Sequence, residues 1–376
     1  MKIGVPKEIK NHEYRVGLIP AAVRELVAEG HEVFIETQAG VGSGFSDEAY
    51  VNVGATILNS AEEIFGESEM IVKVKEPQAE ERKRLRHDQT LFTYLHLAPD
   101  LAQTEDLVQS HATCIAYETV TDKNGRLPLL APMSEVAGRM SVQAGAMCLE
   151  KSKGGAGMLL GGVPGVESAN VLILGGGVVG SSALKMAVGM EANVTVVDKS
   201  LDTLRHLDEI YGNRIQTIYS TQEAIENFAL QADLVIGAVL IPGAAAPKLI
   251  TAEHIRQMKP GSVVVDVAID QGGCFETSKA TTHAEPTYVV DDVVHYCVAN
   301  MPGAVAKTSA IALNHATLPF VIQLANQGVV KALQSNEHLL EGLNVWNGVV
   351  TNEHIALEHG YQFKAVDPSR LGVSTH

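Results

Sequence analysis

A glycine-rich loop and an acid on the following strand form the strongest chemical signal in the sequence. Gly175, Gly177 and Gly180 make a G-x-G-x-x-G that follows the apolar stretch Val171–Leu174. In such a loop the first glycine permits a tight turn, the second lets backbone approach a pyrophosphate, and the third lets the helix pack on the strand. Asp198 follows about 20 residues later, where a carboxylate binds an adenosine ribose and repels a 2′-phosphate. This spacing predicts NAD rather than NADP, and the alternative is a glycine-rich turn with no ligand.

Four basic side chains follow or end predicted strands in the N-terminal part of the chain. Arg15 comes after the first strand, Lys73 and Lys75 end an apolar strand, and His96 ends the next. Ligands of parallel sheets collect at these strand ends. Arginine offers two parallel donors to a carboxylate, lysine a point charge, and histidine a proton donor and acceptor near neutral pH. Together they suit a small oxo acid, although each alone is more often a solvated or core residue.

Two acids mark the end of a later apolar strand. Asp266 and Asp270 lie where the predicted strand Ser262–Val267 gives way to a pair of glycines, Gly272 and Gly273. One of these acids would meet a bound nicotinamide. The other interpretation of Asp270 is a loop acid that caps the amides of the two glycines. The alternation of side chains along the strand does not choose between Asp266 and Asp270.

Two series of alternating strands and helices would bring these residues into place. The first series predicts strands at Lys2–Val5, Glu32–Glu36, Met70–Val74, Thr90–His96 and Thr113–Glu118. The second predicts strands at Asn170–Leu174, Asn193–Asp198, Ile215–Tyr219, Leu234–Ala238, Ser262–Val267 and Tyr288–Val290. Strands that alternate with helices indicate parallel sheets, so the fold class is α/β with two doubly wound, Rossmann-like domains.

The ends of the second series define the domain organisation. A long helix, Pro132–Lys151, leads out of the first series, and helices Ala306–Gln327 and Val329–Asn336 follow the second. About 70 residues at the end, helices and an irregular tail, are too few for a domain and must pack elsewhere. We therefore expect an NAD-binding Rossmann domain, residues 129–306, inserted into a discontinuous substrate domain formed by residues 1–128 and 307–376.

Composition excludes several classes of protein. The chain has 376 residues with 28 Lys plus Arg against 44 Asp plus Glu, a formal charge of −16 that disfavours nucleic acid and anionic membranes as partners. Its 46% hydrophobic and 19% charged content is that of a folded globular protein. The four cysteines, Cys114, Cys148, Cys274 and Cys297, are too scattered to predict a zinc site or a disulfide framework. Without a leader or an apolar span in the sequence, we expect a cytoplasmic protein.

Seven motifs carry a resemblance to a known family. They are MKIGVPKE at 1–8 with Arg15 behind it, VKVKEP at 72–77, TYLHLA at 93–98, PMSEVAG at 132–138, LGGGVVG at 174–180, VDVAIDQGG at 265–273 and VANMPGAV at 298–305. Over essentially its full length the chain resembles the alanine dehydrogenase family. The resemblance implies reversible NAD-dependent oxidative deamination of L-alanine to pyruvate and ammonium, and a homo-oligomer, a hexamer in that family.

The resemblance also implies site residues. It makes His96 and Asp270 catalytic, which favours Asp270 over Asp266. The substrate-binding residues that it implies are Arg15, Lys75, Tyr94, Met133 and Asn300. The cofactor-binding residues that it implies are Ser134, Gly175, Gly177, Val178, Val179, Gly180, Asp198, Ser220, Val239, Leu240, Val267, Asp270, Lys279, Val298 and Met301.

Two departures and three alternatives accompany this resemblance. Thr203 stands near the expected adenosine end, where the family pattern often has a basic residue, which puts contacts there and at Lys279 in doubt. Gln323 and Gln327 stand in the late helix where metal-binding relatives use acids and imidazoles, so no metal is predicted. The alternatives are an amino-acid dehydrogenase of the lysine or saccharopine type, the NAD-binding module of a proton-translocating transhydrogenase, and a non-catalytic NAD sensor.

Overall fold

The structure, a computed structural model, describes residues 1–239 and 246–371. Within these ranges the strands are β1 (Lys2–Val5), β2 (Glu32–Glu36), β3 (Thr56–Leu58), β4 (Met70–Val72), β5 (Thr90–Thr93), β6 (Thr113–Ala116), β7 (Asn170–Leu174), β8 (Asn193–Asp198), β9 (Ile215–Tyr219), β10 (Leu234–Gly237), β11 (Val263–Asp266), β12 (Thr287–Val290), β13 (Val293–Tyr296), β14 (Leu343–Trp346) and β15 (Val349–Val350). The α-helices are α1 (Pro20–Ala28), α2 (Asp47–Val51), α3 (Ala61–Glu67), α4 (Ala79–Arg82), α5 (Leu101–Ser110), α6 (Ala131–Cys148), α7 (Val178–Gly189), α8 (Leu201–Tyr211), α9 (Gln222–Gln231), α10 (Ala252–Gln257), α11 (Ala306–Gln327), α12 (Val329–Ser335), α13 (Glu337–Leu340) and α14 (Glu353–His359).

The chain forms two compact units. Unit 1 contains Met1–Pro132 together with the residues from Gly303 onward, and unit 2 contains Met133–Pro302. Each unit is built around one sheet. None of the helices in the described ranges is both long enough and apolar enough to cross a membrane.

Unit 1 is an eight-stranded sheet in the order β15-β14-β6-β5-β4-β1-β2-β3. Strands β1 to β6 pair parallel to one another. The central strands β4, β5 and β6 are buried at every position, as expected where helices cover both faces of a parallel sheet. The core joins Ile71 and Leu91 from these strands to Val345 and Ile355 from the end of the chain.

The last two strands correct the expectation of an irregular tail. β14 pairs antiparallel with β6, Leu343 opposite Ile115, and β15 pairs antiparallel with β14. Asn347 and Gly348, between β14 and β15, both have positive φ. Asn-Gly between two apolar runs is the strongest short-range signal for a hairpin, so the sequence did contain the evidence for these strands.

Unit 2 is a seven-stranded sheet in the order β12-β13-β11-β10-β7-β8-β9, in which only β12, among the strands described, is antiparallel to its neighbour. The strand order reverses at β7, from which the chain builds outward first through β8 and β9 and then through β10 and β11. Ligands of doubly wound sheets bind at the carboxyl ends of the strands at such a reversal. The glycine-rich loop follows β7 directly.

Several predicted strands are shorter in the structure. β5 ends at Thr93 and β6 at Ala116, whereas the sequence predicted strands that continue to His96 and Glu118. The residues beyond these ends leave the hydrogen-bonded ladder and turn into loops. The polar side chains proposed for chemistry therefore lie on loops just past the strands. Predictions missed β3 and β13, which are only three and four residues long.

Candidate functional site

The glycine-rich loop of unit 2 has the geometry that its spacing predicts. Gly175 has a φ of +97°, in the region that favours glycine. A Cβ at Gly180 would lie 1.7 Å from the carbonyl oxygen of Gly175, so only glycine lets α7 start this close to the strand. Gly177 precedes α7, is exposed, and among the described residues no atom lies within 4 Å of a Cβ built on it. The loop therefore leaves open space at a helix N-terminus, which fits a pyrophosphate.

Asp198 joins this loop to the neighbouring strands. Its Oδ2 accepts a hydrogen bond from the amide of Gly176 at 2.6 Å and its Oδ1 one from Ser200 at 2.7 Å. The Asp198 carbonyl accepts the amide of Ser220 at 2.9 Å. A carboxylate has about four acceptor positions, so two amides leave capacity for ribose hydroxyls. Thr203 lies beside the loop, with its Cγ2 2.8 Å from a Cβ built on Gly176.

Four of the other predicted cofactor-binding residues lie at the carboxyl ends of strands in the unit 2 sheet. Ser220, Val239, Val267 and Val298 follow the carboxyl ends of β9, β10, β11 and β13. Val178 is exposed and Val179 buried at the start of α7, Met301 is buried, Ser134 is half-buried on α6, and Lys279 is exposed with its amide donating to the Tyr288 hydroxyl at 2.7 Å. Leu240 lies outside the described residues. Most of the predicted cofactor-binding residues thus lie at or just past the carboxyl ends of the strands of unit 2.

Arg15 of unit 1 is held by a residue that the sequence reasoning missed. Its Nε and Nη2 donate to the two carboxylate oxygens of Glu13 at 2.7 and 2.6 Å, and both side chains are buried. Burial opposes the charged guanidinium, but the hydrogen bonds and charge of Glu13 outweigh it and raise the pKa of Arg15. The pair fixes the guanidinium in one plane. The only sequence signal is an acid two residues before the arginine.

The two lysines after β4 have different surroundings. Lys73 is fully buried and forms ion pairs with Glu8 at 3.0 Å and Glu81 at 2.8 Å. Burial raises the pKa of Glu8 to about 6, even though Lys73 acts in the opposite direction. Lys75 is half-buried, and its carbonyl accepts a hydrogen bond from the Thr93 hydroxyl at 3.0 Å. Lys73 is thus a structural residue, and Lys75 is the more accessible of the two.

His96 is exposed on a turn that Glu118 stabilises. Its φ of +50° is unusual for a residue with a side chain. Glu118 accepts hydrogen bonds from the amide of His96 at 2.6 Å and of Leu95 at 3.1 Å, and its Oε1 lies 3.9 Å from His96 Nδ1. The imidazole stacks on Tyr94 at 5.8 Å with an interplanar angle of 7°. The sequence predicts Glu118 as the last residue of a strand and indicates no functional role for it.

Tyr94 joins the residues of this edge. Its hydroxyl donates to the Leu129 carbonyl at 2.5 Å. Burial raises the pKa of Tyr94, although the nearby charge of Arg15 lowers it. Arg15, Tyr94 and His96, with Glu118, therefore lie together at the carboxyl ends of β1, β5 and β6 in unit 1.

The two candidate acids of unit 2 have opposite environments. Asp266 is fully buried and accepts hydrogen bonds from the amides of Ala268 at 3.2 Å and Cys274 at 2.9 Å. Burial raises the pKa of Asp266, and hydrogen bonds from the Ser278 hydroxyl and the Cys274 amide oppose that shift. Asp270 is exposed, at the fourth residue of a 3-10 turn over Val267–Gln271. Of the two acids, Asp270 is the one that a ligand can reach.

The remaining candidates have simpler surroundings. Met133 is buried on α6 and Asn300 is half-buried after β13, where its carbonyl interacts with His283 Nε2 at 2.7 Å. On α11, the amide oxygen of Gln323 accepts from Asn336 at 2.9 Å and that of Gln327 from the Ser335 hydroxyl at 2.9 Å. In residues 1–239 and 246–371, no group of three or more His, Cys, Asp or Glu side chains is arranged to hold a metal ion.

Known proteins match this sequence along nearly the whole chain. Residues 4–137 match the family model "Alanine dehydrogenase/PNT, N-terminal domain" and residues 141–353 match "Alanine dehydrogenase/PNT, C-terminal domain". Among curated relatives, the chain is 60% identical to the alanine dehydrogenase of Halomonas elongata, covering 96% of this chain and 98% of that protein. It is 56% identical to the alanine dehydrogenase of Bacillus subtilis, covering 96% of each.

Solved structures also match nearly the whole chain. A structure of L-alanine dehydrogenase superposes with a TM-score of 0.93 at 53% identity, covering 96% of this chain and 99% of that one. A transhydrogenase from Sinorhizobium meliloti superposes with a TM-score of 0.81 at 23% identity, covering 93% and 100%, and shows a shared fold. The expected family and the two Rossmann-like domains are confirmed. The chain belongs to the alanine dehydrogenase/PNT family.

Proposed function

We propose that this protein is an L-alanine dehydrogenase. It converts L-alanine, NAD⁺ and water to pyruvate, ammonium, NADH and a proton, and it catalyses the reverse reaction. The observation that carries this function is the similarity to curated alanine dehydrogenases, which extends along both units. The open glycine-rich loop and Asp198 support the choice of NAD, because a carboxylate at that position repels the 2′-phosphate of NADP.

We assign the cofactor to residues of unit 2 and the substrate mainly to residues of unit 1, with Met133 and Asn300 contributed by unit 2. The domain boundaries that we propose are residues 1–128 and 307–376 for the substrate domain and 129–306 for the NAD-binding domain. When bound, NAD accepts the hydride from the alanine Cα. The pyrophosphate would lie at Gly177 and the N-terminus of α7, and the adenosine ribose at Asp198. The positive end of α7 favours the charge of the pyrophosphate.

Arg15 and Lys75 would hold the substrate. The plane that Glu13 imposes on the Arg15 guanidinium suits a bidentate contact with a carboxylate. Lys75 supplies a point charge that would polarise the carbonyl oxygen of pyruvate. Tyr94, Met133 and Asn300 would complete the substrate-binding set. Fixing the substrate in this way aligns its Cα hydrogen for transfer.

His96 would move the protons. Nδ1 faces Glu118, so we assign Nε2 to the substrate. Loss of hydride leaves an iminium, which water attacks to give a carbinolamine. Nε2 would take a proton from the attacking water and return it to the carbinolamine nitrogen, which makes that nitrogen a leaving group. Nε2 would then take the hydroxyl proton as the C–N bond breaks, so that ammonia leaves and the pyruvate carbonyl forms. The exposed carboxylate of Asp270 would stabilise the positive charge of the iminium.

We also propose that the protein acts in the cytoplasm as a homo-oligomer, specifically a hexamer. This proposal rests on the family resemblance. Light scattering coupled to size-exclusion chromatography measures the oligomer directly, and a single monomer peak at micromolar concentration would overturn it.

The test of the function is NADH absorbance with L-alanine, L-lysine, saccharopine or L-glutamate and either NAD or NADP. We expect L-alanine with NAD to be strongly preferred. His96→Ala should reduce turnover by about 100-fold or more and still bind NADH, as for loss of a general acid–base group. His111→Ala is the matched control, because His111 is an exposed histidine of unit 1 that also has a positive φ. Turnover only with lysine or saccharopine, or hydride exchange that needs no amino acid, would overturn the assignment.

A further inference from the structure

The loop that carries Asp270 is closed at both ends by one buried carboxylate. Asp266 Oδ1 accepts the amide of Ala268 at 3.2 Å, at the start of the loop, and Oδ2 accepts the amide of Cys274 at 2.9 Å, at its end. The hydroxyl of Ser278 donates a short hydrogen bond to the same Oδ2. Asp266 therefore sets the distance between the two ends of the loop.

Glycine at 273 makes this closure possible. A Cβ on Gly273 would lie 2.3 Å from Asp266 Oδ2, and both Gly272 and Gly273 have positive φ, +90° and +80°. The amide of Gly272 donates to Ile269 at 3.0 Å and that of Gly273 to Ala268 at 3.0 Å. The backbone thus folds tightly over the buried carboxylate.

Carbonyl groups of the same loop are held from the opposite side. Lys248 Nζ donates to the carbonyl of Gly272 and, at 3.2 Å, to that of Phe275. The amide of Ala246 donates to the Gln271 carbonyl at 2.8 Å. Two amides of the loop therefore donate to the Asp266 carboxylate, and two of its carbonyls accept from the Lys248 ammonium group. Such paired fixation leaves the turn over Val267–Gln271 few alternative conformations.

We propose that Asp266 is the positioning residue for Asp270, which fixes the turn so that the exposed Asp270 carboxylate is held in one place. This inference rests on the proposed function of Asp270. Asp266 is fully buried, so it acts on the reaction through the loop and not by contact with the substrate. A displacement of about 1 Å at a reacting group costs roughly 100-fold in rate.

A double-mutant cycle tests this. We would measure kcat for L-alanine, Kd for NADH and Tm of Asp266→Asn, Asp270→Asn and the double variant. We expect Asp266→Asn to lower kcat by about 100-fold with less than a threefold change in Kd for NADH. In the Asp270→Asn background the same substitution should change kcat less than threefold, because residues that act as a unit are not additive.

Asp233→Asn is the matched control. Asp233 is also a nearly buried acid of unit 2, and it accepts the Asn170 amide at 2.8 Å and a hydrogen bond from Lys259 at 2.9 Å. It directly precedes β10, at the opposite end of the sheet from the loop. We expect this variant to lower Tm and keep kcat within twofold of the unmodified protein.

Ser278→Ala keeps the inference testable if Asp266→Asn does not fold. It removes a single hydrogen bond to Asp266, and we expect kcat to fall roughly tenfold, the value of one net hydrogen bond. Effects of Asp266→Asn or Ser278→Ala that multiply with that of Asp270→Asn, or unchanged kcat in both variants, would overturn the positioning role. Full activity of Asp270→Asn would overturn the role of Asp270 as well, which separates failure of the proposed function from failure of this inference.

Discussion

Replacing Glu118 by glutamine tests how the protein prepares His96. The carboxylate accepts hydrogen bonds from two consecutive amides and lies 3.9 Å from the imidazole Nδ1. Glutamine has nearly the same shape, but it has no charge and only one acceptor oxygen. The substitution therefore removes the charge beside the ring and weakens the hold on the positive-φ backbone of His96, while packing is kept.

The size of the effect follows from the distance. Two unit charges separated by 3.9 Å interact by about 4 kcal/mol at an effective dielectric of about 20 and by about 1 kcal/mol in water. The His96 side chain is 43% exposed, so a value between these limits applies. About 2 kcal/mol corresponds to roughly 30-fold in kcat if the imidazole is charged in the transition state.

The assay is kcat and kcat/KM for L-alanine across the pH range, with Kd for NADH from fluorescence. Glu118→Asp restores the charge and should recover most of the lost kcat. Glu63→Gln is the control, because Glu63 also accepts a backbone amide, that of Asn59 at 2.9 Å, but lies on α3. If Glu118→Gln keeps kcat within twofold, the reasoning about this carboxylate is wrong.

Three further substitutions have defined outcomes. Burial raises the pKa of Glu8 from 4.5 to about 6, so the folded state holds this proton more tightly. Stability should fall by about 2 kcal/mol in total as pH rises from well below 4.5 to well above 6, and Glu8→Gln should flatten this slope in denaturant titrations. Gly180→Ala places a Cβ against the Gly175 carbonyl and should weaken NADH binding at least about tenfold in a fluorescence titration, whereas Gly189→Ala, at an open position of the same helix, should not. Asp198→Ser should raise kcat/KM for NADP relative to NAD by about tenfold or more, and an unchanged ratio would contradict the assigned 2′ contact.

Long apolar strands were predictable because they are bounded by polar or glycine residues. The predicted ends of β1, β2, β7, β8 and β9 coincide with the observed ones. Strands before the polar loops were predicted too long, because β5 leaves the hydrogen-bonded ladder after Thr93 and β6 gives way to a 3-10 turn over Tyr117–Thr119. The hairpin of β14 and β15 was missed although Asn347-Gly348 marks its turn.

Site residues were predictable in type but not in environment. Sequence spacing located both Lys73 and Lys75, yet only the fold shows that Glu8 and Glu81 neutralise the first. Glu118 lies in the turn that follows β6 and accepts the amide of His96, which follows the neighbouring strand β5. Spacing along the chain does not predict such a contact between two loops. Alternation of side chains could not separate Asp266 from Asp270, because the chain leaves the strand at Asp266 and enters a 3-10 turn.

The closing hairpin of unit 1 has a consequence for synthesis on the ribosome. Unit 2 is continuous in sequence, so all of its strands are synthesised before translation reaches residue 303. The sheet of unit 1 lacks the strand beside β6 until residues 343–346 are made, and its core lacks Val345 and Ile355. Because chains fold as they emerge, the inserted unit should complete its fold first, while the N-terminal strands wait with an open edge. Nascent chains stalled once residue 302 has left the ribosome, but before residues 343–346 have left it, should therefore protect unit 2 from protease and leave unit 1 susceptible.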